Sequence, residues 1–337
     1  MALHAAHFGD GSVSFERGPY QVERVLGRGR TAVVHLARRG TGRDTGERFA
    51  VKRLLPELRR SPDFVQMLTH EAWLGHRTTH PNLVPVVDAG EDGGSPAIVM
   101  PHVDGTTLGR LLGAASRRAL SFPIDVSLFI AREVLKGIGH LHDLRGPDER
   151  PLGVVHADVS PGNVLLGAMG EVMLTDLGSA RSARSGPFRT GVDGKLGYMP
   201  PEQLTGLPLD RRSDLFSVGL LLYEMLTGVP FFHGVDDLDL TTQMRRASLA
   251  PLSNPIGRRL PLDVRLLLAT ALAREPEDRF MDAAEFSWAL DLCALHSGIR
   301  LARPGLIQWL RDNDVWPLQS GFHAAVSPGS GTSRRTP

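Results

Sequence analysis

Strand-like patterning is confined to roughly the first hundred residues of this chain, and helical patterning fills most of the remainder. That segregation points to an α+β chain with two lobes. Residues 20–26, 32–38 and 47–54 are short runs containing β-branched side chains, separated by Gly-rich turns, which predicts an antiparallel meander. A helix is expected over 64–79, with Pro81 just past its end. Two more strands are expected at 83–89 and 97–100, joined by the turn-rich stretch 90–96. Beyond Thr107, segments 108–116, 124–142, 214–227, 238–248, 262–274 and 283–296 place apolar residues at three- and four-residue intervals. Between them, 154–174 supplies short apolar pieces broken by Pro161, Gly162, Gly167 and Gly170, so a strand-and-loop platform interrupts the helical half. Residues 1–18 read as a flexible arm, 304–316 as one further helix, and 320–337 as a disordered tail.

Composition narrows the function classes. The 337 residues, 42% hydrophobic and 22% charged, are enough to bury the cores of two lobes. Lys plus Arg is 38 against 37 for Asp plus Glu, a balance that gives no electrostatic reason to invoke nucleic acid or an anionic membrane. The longest apolar run, Val218 to Tyr223, is too short to span a bilayer. The first 25 residues lack the basic start and apolar stretch of an export signal. One cysteine, Cys293, excludes an internal disulfide and a cysteine-rich zinc site. A cytoplasmic protein without a membrane segment is expected. Of the basic residues only Lys52, Lys136 and Lys195 are lysines, so a lysine at a chemically demanding position is poorly explained by chance.

Three constellations carry chemistry. Gly27-Arg28-Gly29-Arg30-Thr31-Ala32-Val33-Val34 joins two strands by a turn whose backbone N–H groups can cover nucleotide phosphates, with Ala32 small enough for the third position of G-x-G-x-x-G. Taken alone, this is a tight turn. Downstream lies Ala50-Val51-Lys52, with Lys52 23 residues after Gly29 on a strand, where an ammonium can neutralise phosphates if a carboxylate such as Glu71 orients it. The third is Val154-Val155-His156-Ala157-Asp158-Val159-Ser160-Pro161-Gly162-Asn163-Val164-Leu165-Leu166, with Thr175-Asp176-Leu177-Gly178 beyond it. Asp158 suits positioning or deprotonating a hydroxyl. Asn163, five residues later, and Asp176, 18 residues later, offer oxygens to Mg²⁺ on ATP phosphates. Each residue alone is an ordinary turn former, but the three at this spacing are not.

Over residues 20–296 the chain resembles a bacterial eukaryotic-type Ser/Thr protein kinase. The resemblance implies a bilobal protein-kinase fold spanning 19–296, with a β-rich N-lobe at 19–103, a helical C-lobe at 104–296 and a C-terminal extension at 297–319. It places Met100 behind the adenine and backbone groups of Pro101 and Val103 at its edge. With Gly27, Arg28, Gly29, Ala32, Val34, Ala50, Lys52, Ser160, Asn163, Leu165 and Asp176, these would form the nucleotide site. Gly197-Tyr198-Met199-Pro200-Pro201-Glu202 resembles the end of an activation segment. Asp214 matches a buried aspartate beneath the catalytic loop, and Arg279 matches the arginine that pairs with Glu202. His156 is implied to be a packed residue rather than a base. His70, His76 and His80 lack carboxylate or cysteine partners at zinc-ligand spacing and read as solvated or packed.

The chain departs from the pattern at five positions. Ala157 replaces the arginine that holds a phosphorylated activation segment, so no strict need for such phosphorylation is expected, although Arg181, Arg184 and Arg189 stand near Ser179, Ser182, Ser185 and Thr190. Ser160 replaces a lysine, while Lys195 stands where the family has a threonine. The expectation is a compensated swap in which Lys195 supplies the cation near Asp158. Leu177 replaces a phenylalanine. Gly75, one turn after Glu71, removes a bulky contact and is expected to leave its helix in need of support from a regulatory partner, a homodimer contact or the C-terminal extension.

The implied activity is transfer of the ATP γ-phosphate to Ser/Thr hydroxyls of proteins, autophosphorylation included, with Asp158, Lys52, Glu71 and Lys195 as catalytic residues and Asn163 and Asp176 on the metal. The alternatives are a pseudokinase scaffold that regulates a partner and a small-molecule phosphotransferase. Pro200-Pro201-Glu202 and Arg279 disfavour the latter.

Overall fold

The computed structural model describes residues 20–39, 47–91, 96–180, 196–234 and 236–313. β1 (Tyr20–Arg28), β2 (Ala32–Arg39) and β3 (Arg48–Leu54) form the expected antiparallel meander. Helix α1 (Pro62–Arg77) comes next, then β4 (Asp88–Glu91) and β5 (Pro96–Pro101), giving a five-stranded sheet of order β1-β2-β3-β5-β4. Strand alternation sorts its two faces. Phe49 and Val51 join Ala37, Ala97 and Val99 in one apolar cluster. Leu54, Ile98 and Met100 join Leu68 of α1 in another, with Ala50 packed against it. Lys52, in register with Val34 and Ile98, lies on this second face.

The strand expected at 83–89 is shorter than its apolar pattern suggests. Only Asp88–Glu91 pairs as a strand with β5. Upstream, Val84 N donates to Leu174 O (2.9 Å) and Val86 N donates to Gly75 O (3.1 Å). These backbone groups therefore tie the helix and the second lobe together rather than extending the sheet.

The second lobe begins with β6 (Gly105–Thr107), α2 (Leu108–Arg117) and α3 (Ile124–His142), and the hairpin β7 (Val164–Gly167) and β8 (Val172–Leu174) pairs with β6. α4 (Pro201–Leu204), α5 (Arg211–Thr227), α6 (Asp237–Arg246), α7 (Ala250–Ser253), α8 (Leu262–Ala271) and α9 (Ala283–His296) complete the helical core. α5 is buried all round from Ser213 to Tyr223, as a central helix should be. It starts earlier than the apolar pattern indicates because Asp210 Oδ1 caps it, accepting from Arg212 N at 2.8 Å. It ends at Gly228, which is left-handed at φ 74°.

α10 (Arg303–Asp312) is the C-terminal extension. It folds onto its own lobe, with the Trp309 ring stacked on Phe122 at a centroid distance of 4.2 Å and Arg132 donating to Leu301 O at 3.1 Å. The helix expected over 304–316 is described only to Asp312, and Trp316 lies outside the described residues, as do the arm at 1–18 and the tail at 320–337. Among the described residues no helix is long and apolar enough to cross a membrane.

Candidate active site

The centre of the cleft is a buried cation between two carboxylates. Lys52 Nζ donates to Glu71 Oε1 at 2.8 Å, to Glu71 Oε2 at 2.7 Å and to Asp176 Oδ1 at 2.8 Å. β3 delivers the lysine, α1 the glutamate and the turn after β8 the aspartate. Burial works to lower the Lys52 ammonium, but Asp176 and then Glu71 outweigh it and hold it above its usual range. Burial pushes the Glu71 carboxyl up to about 7, against the pull of Lys52. Asp176 also feels burial, yet Lys52 overrides it and keeps the carboxyl below the usual range. Lys52 and Glu71 side chains are 8% and 3% exposed, whereas 42% of Asp176 is open, so Asp176 is the carboxylate presented to a ligand.

Backbone geometry aims that group. Asp176 is left-handed, at φ 70° and ψ 73°, and Gly178 N donates to its Oδ1 at 3.4 Å. Thr175 N donates to Asn163 O at 2.9 Å, bringing the Asn163 and Asp176 backbones side by side across the foot of the β7–β8 hairpin. Asn163 Nδ2 is held by Asp158, at 2.9 Å from its backbone O and 2.8 Å from Oδ2. The amide oxygen of Asn163 remains for a cation.

Asp158 stands on a loop clamped from below. Asp214, at the start of α5, is 1% exposed and accepts from His156 N at 2.8 Å and from Ala157 N at 2.9 Å. His142 Nε2 meets the same carboxylate at 2.8 Å. Between these anchors Ala157 sits at φ 62°, a conformation that costs an L-residue about 1–2 kcal/mol. His156 is fully buried and its imidazole is held below its usual range chiefly by burial, so it is a packing residue. Ser160 is also 0% exposed, and its Oγ has no hydrogen-bond partner among the described residues, which sets it apart from the open groups of the site.

The remaining expected nucleotide contacts fall into two sets. Met100, Ala50 and Val103 of the first lobe share one apolar cluster with Leu165 of β7, so the expected base contacts from the two lobes lie together. Gly27 and Arg28 pair with Val34 and Val33, and Gly29 N donates to Ala32 O at 2.8 Å, closing the tight turn above them. Pro101 ends β5 beside this cluster. The donor set fits a nucleotide with a hard divalent cation: oxygen groups at Asn163 and Asp176 and a buried ammonium beside them. Lys195 lies outside the described residues, as do Arg181, Arg184, Arg189, Ser182, Ser185 and Thr190.

The protein-family model described as "Protein kinase domain" matches residues 20–287. The chain belongs to the protein kinase family. Tyrosine-protein kinase MasK of Myxococcus xanthus is 36% identical over 277 residues, covering 81% of this chain and 43% of the relative. Serine/threonine-protein kinase PksC of Streptomyces coelicolor is 36% identical over 275 residues, covering 79% of this chain and 47% of the relative. Serine/threonine-protein kinase PknB of Mycobacterium tuberculosis is 34% identical over 289 residues, covering 83% and 43%. The chain thus spans less than half the length of these relatives.

Several residues of this kinase site escape sequence reasoning. Ser213 Oγ donates to Glu202 Oε1 at 2.8 Å beside the expected Arg279 pair, whose NH1 and NH2 reach Glu202 at 2.7 and 2.9 Å. Gln203 Nε2 donates to Ala157 O at 3.0 Å. Their adjacency to Glu202 and Asp214 is the one signal the sequence carries. The histidines pack on neighbouring rings, His70 against Trp73 at 6.1 Å and His80 against His140 at 5.0 Å. Among the described residues, no group of three or more His, Cys, Asp or Glu side chains could hold a metal ion. Gly75 is not a gap either, because a Cβ there would lie 2.4 Å from Val86 Cγ2. Val86 already fills the place of the missing side chain, and α1 keeps Glu71 on Lys52.

Proposed function

We propose that this chain transfers the γ-phosphate of ATP to serine and threonine hydroxyls of proteins, itself included, with Mg²⁺ as the metal and the cytoplasm as its location. The single observation that carries this reading is the Lys52 ammonium held between Glu71 and Asp176, with the Asp158–Asn163 pair joined to Asp176 through Thr175. Lys52 would orient the α- and β-phosphates, and Asn163 and Asp176 would hold the metal, which would supply positive charge against the phosphates. Asp158 aligns the incoming hydroxyl and takes its proton. Positioning and charge neutralisation supply most of the rate. Lys195 is proposed to add a cation near Asp158 in exchange for Ser160. Its support is its place in the sequence and its rarity.

The test is phosphoryl transfer by the purified chain with Mg²⁺-ATP beside an Asp158→Asn control, read by intact mass and site mapping. Phosphoserine or phosphothreonine that disappears in the control supports the reading. Phosphotyrosine alone would overturn the Ser/Thr assignment. ATP binding without transfer, under both Mg²⁺ and Mn²⁺, would favour a scaffold.

A further inference from the structure

We propose that Gln203 is a positioning residue for catalysis: its side-chain amide holds the Ala157 carbonyl and so fixes the direction in which the next residue, Asp158, meets an acceptor hydroxyl. The inference rests on the kinase reading above.

Ala157 is left-handed at φ 62°. An alanine stays in that region only where its surroundings fix both of its peptide units. On the amide side, Asp214 Oδ2 accepts from His156 N and Oδ1 from Ala157 N, at 2.8 and 2.9 Å. On the carbonyl side, the partner is Gln203 Nε2 at 3.0 Å. The donor is itself well anchored. Gln203 N donates to Pro200 O at 3.1 Å, and its neighbour Glu202 is gripped by Arg279 and by Ser213.

Ser213 and Asp214 are consecutive residues in the first turn of α5, so a ring closes. It runs from Asp214 to Ala157, to Gln203, through the peptide to Glu202, to Ser213, and back to Asp214. The Asp214 and Glu202 bonds in the ring are buried, whereas the Gln203 bond is partly exposed. It is therefore the bond that opens first if α4 is not seated. With alanine at 157 there is no long side chain on the loop to make this connection, and the backbone carbonyl makes it instead. Correct seating of α4 is thereby read out at Asp158, apart from the nucleotide.

The experiment uses the full chain, ATP and dephosphorylated casein as acceptor. Gln203→Met keeps the length of the side chain without a donor, and Gln203→Glu turns a carboxylate toward the carbonyl. Expected for both is a fall in kcat of about tenfold or more, larger for Glu, with KM for ATP within about twofold and an unchanged unfolding midpoint. Ala157→Gly, which adopts the left-handed conformation without strain, should recover part of the Gln203→Met loss. A kcat within about twofold of the parent in both variants overturns the proposal. So does a fall matched by a raised KM for ATP or a lowered midpoint, which would be general loosening. A parent chain with no transfer at all sinks the kinase reading, and this inference with it.

Discussion

Lys52 Nζ is shared between two carboxylates, lying 2.7 Å from Glu71 Oε2 and 2.8 Å from Asp176 Oδ1. The arrangement couples the position of α1 to that of the Asp176 turn, because neither carboxylate is neutralised without the lysine. Replacing Lys52 with Met preserves the stem and leaves the buried Glu71 facing the partly open Asp176 without a cation between them. Glu71, already pushed up to about 7 by burial, then loses the cation that opposes the shift. Phosphoryl transfer by Lys52→Met is expected to fall by about a hundredfold or more, with the circular dichroism spectrum retained. A loss of less than about threefold would show that the ammonium is not part of the transfer chemistry.

Glu133 on α3 provides a pH readout away from the cleft. Its carboxyl accepts from Lys136 Nζ at 2.6 Å and from Asn82 Nδ2 at 3.1 Å, and Asn82 also bonds Val172 O at 2.8 Å. Burial acts to raise this carboxyl, but the Lys136 and Asn82 hydrogen bonds override it and hold it below the usual range. A depressed carboxyl stabilises the folded state above its unfolded pKa and loses that contribution as pH falls through its folded pKa. Glu133→Gln should therefore be less stable than the parent by about 1 kcal/mol near neutral pH, with the gap closing below about pH 4. Urea unfolding at both pH values checks it, and an equal gap at both would disprove the ionic contribution.

The residues proposed to carry the transfer are grouped in the sequence because the geometry that joins them is local. Asp158, Asn163 and Asp176 sit on one loop and one short hairpin, so their spacing in sequence nearly fixes their spacing in space. The Lys52–Glu71 pair needs a strand and helix that the periodicity also shows. The features that escape are set by distant backbone. The apolar run before β4 looks like sheet, yet the N–H groups of Val84 and Val86 go to β8 and to α1. Gly75 looks like a hole because Val86, which closes it, is not a periodic neighbour. The left-handed Ala157 is held by Asp214 and Gln203, which no local pattern reports.

Gly75 consequently admits no larger residue. A Cβ there would stand 2.4 Å from Val86 Cγ2, 3.1 Å from Val86 Cβ and 3.3 Å from Val86 N. The side chain could turn away, but the backbone nitrogen is held by its own bond to Gly75 O. Gly75→Leu should displace α1, destabilise the chain by about 1–3 kcal/mol, and weaken ATP binding through Glu71. Chemical denaturation and ATP titration measure both effects. A variant that is more stable and binds ATP more tightly would mean that the position is an unfilled gap after all.

Trp309 should behave differently from these, because it sits on α10, which packs on the second lobe away from the Lys52 site. Its ring is 8% exposed and stacks on Phe122. The helix that carries it also covers the β7–β8 turn, where the position of a Cβ on Gly170 would lie 2.6 Å from Arg303 Cγ and 2.9 Å from Ile307 Cγ1. Ala168 in that same turn donates from its N to Asp104 O at 2.8 Å, just past the segment that joins the lobes. Trp309→Ala removes an aromatic side chain worth about 3–5 kcal/mol when buried. Because α10 is the last of the described helices and packs on the outside of α3, the loss should open α10 locally rather than lower the whole unfolding transition. Hydrogen exchange is expected to speed up across α10 and the β7–β8 turn, with α5 and α9 as protected as in the parent. Uniform acceleration that includes α5 would mean that the extension is integral to the core of the lobe rather than a brace laid upon it.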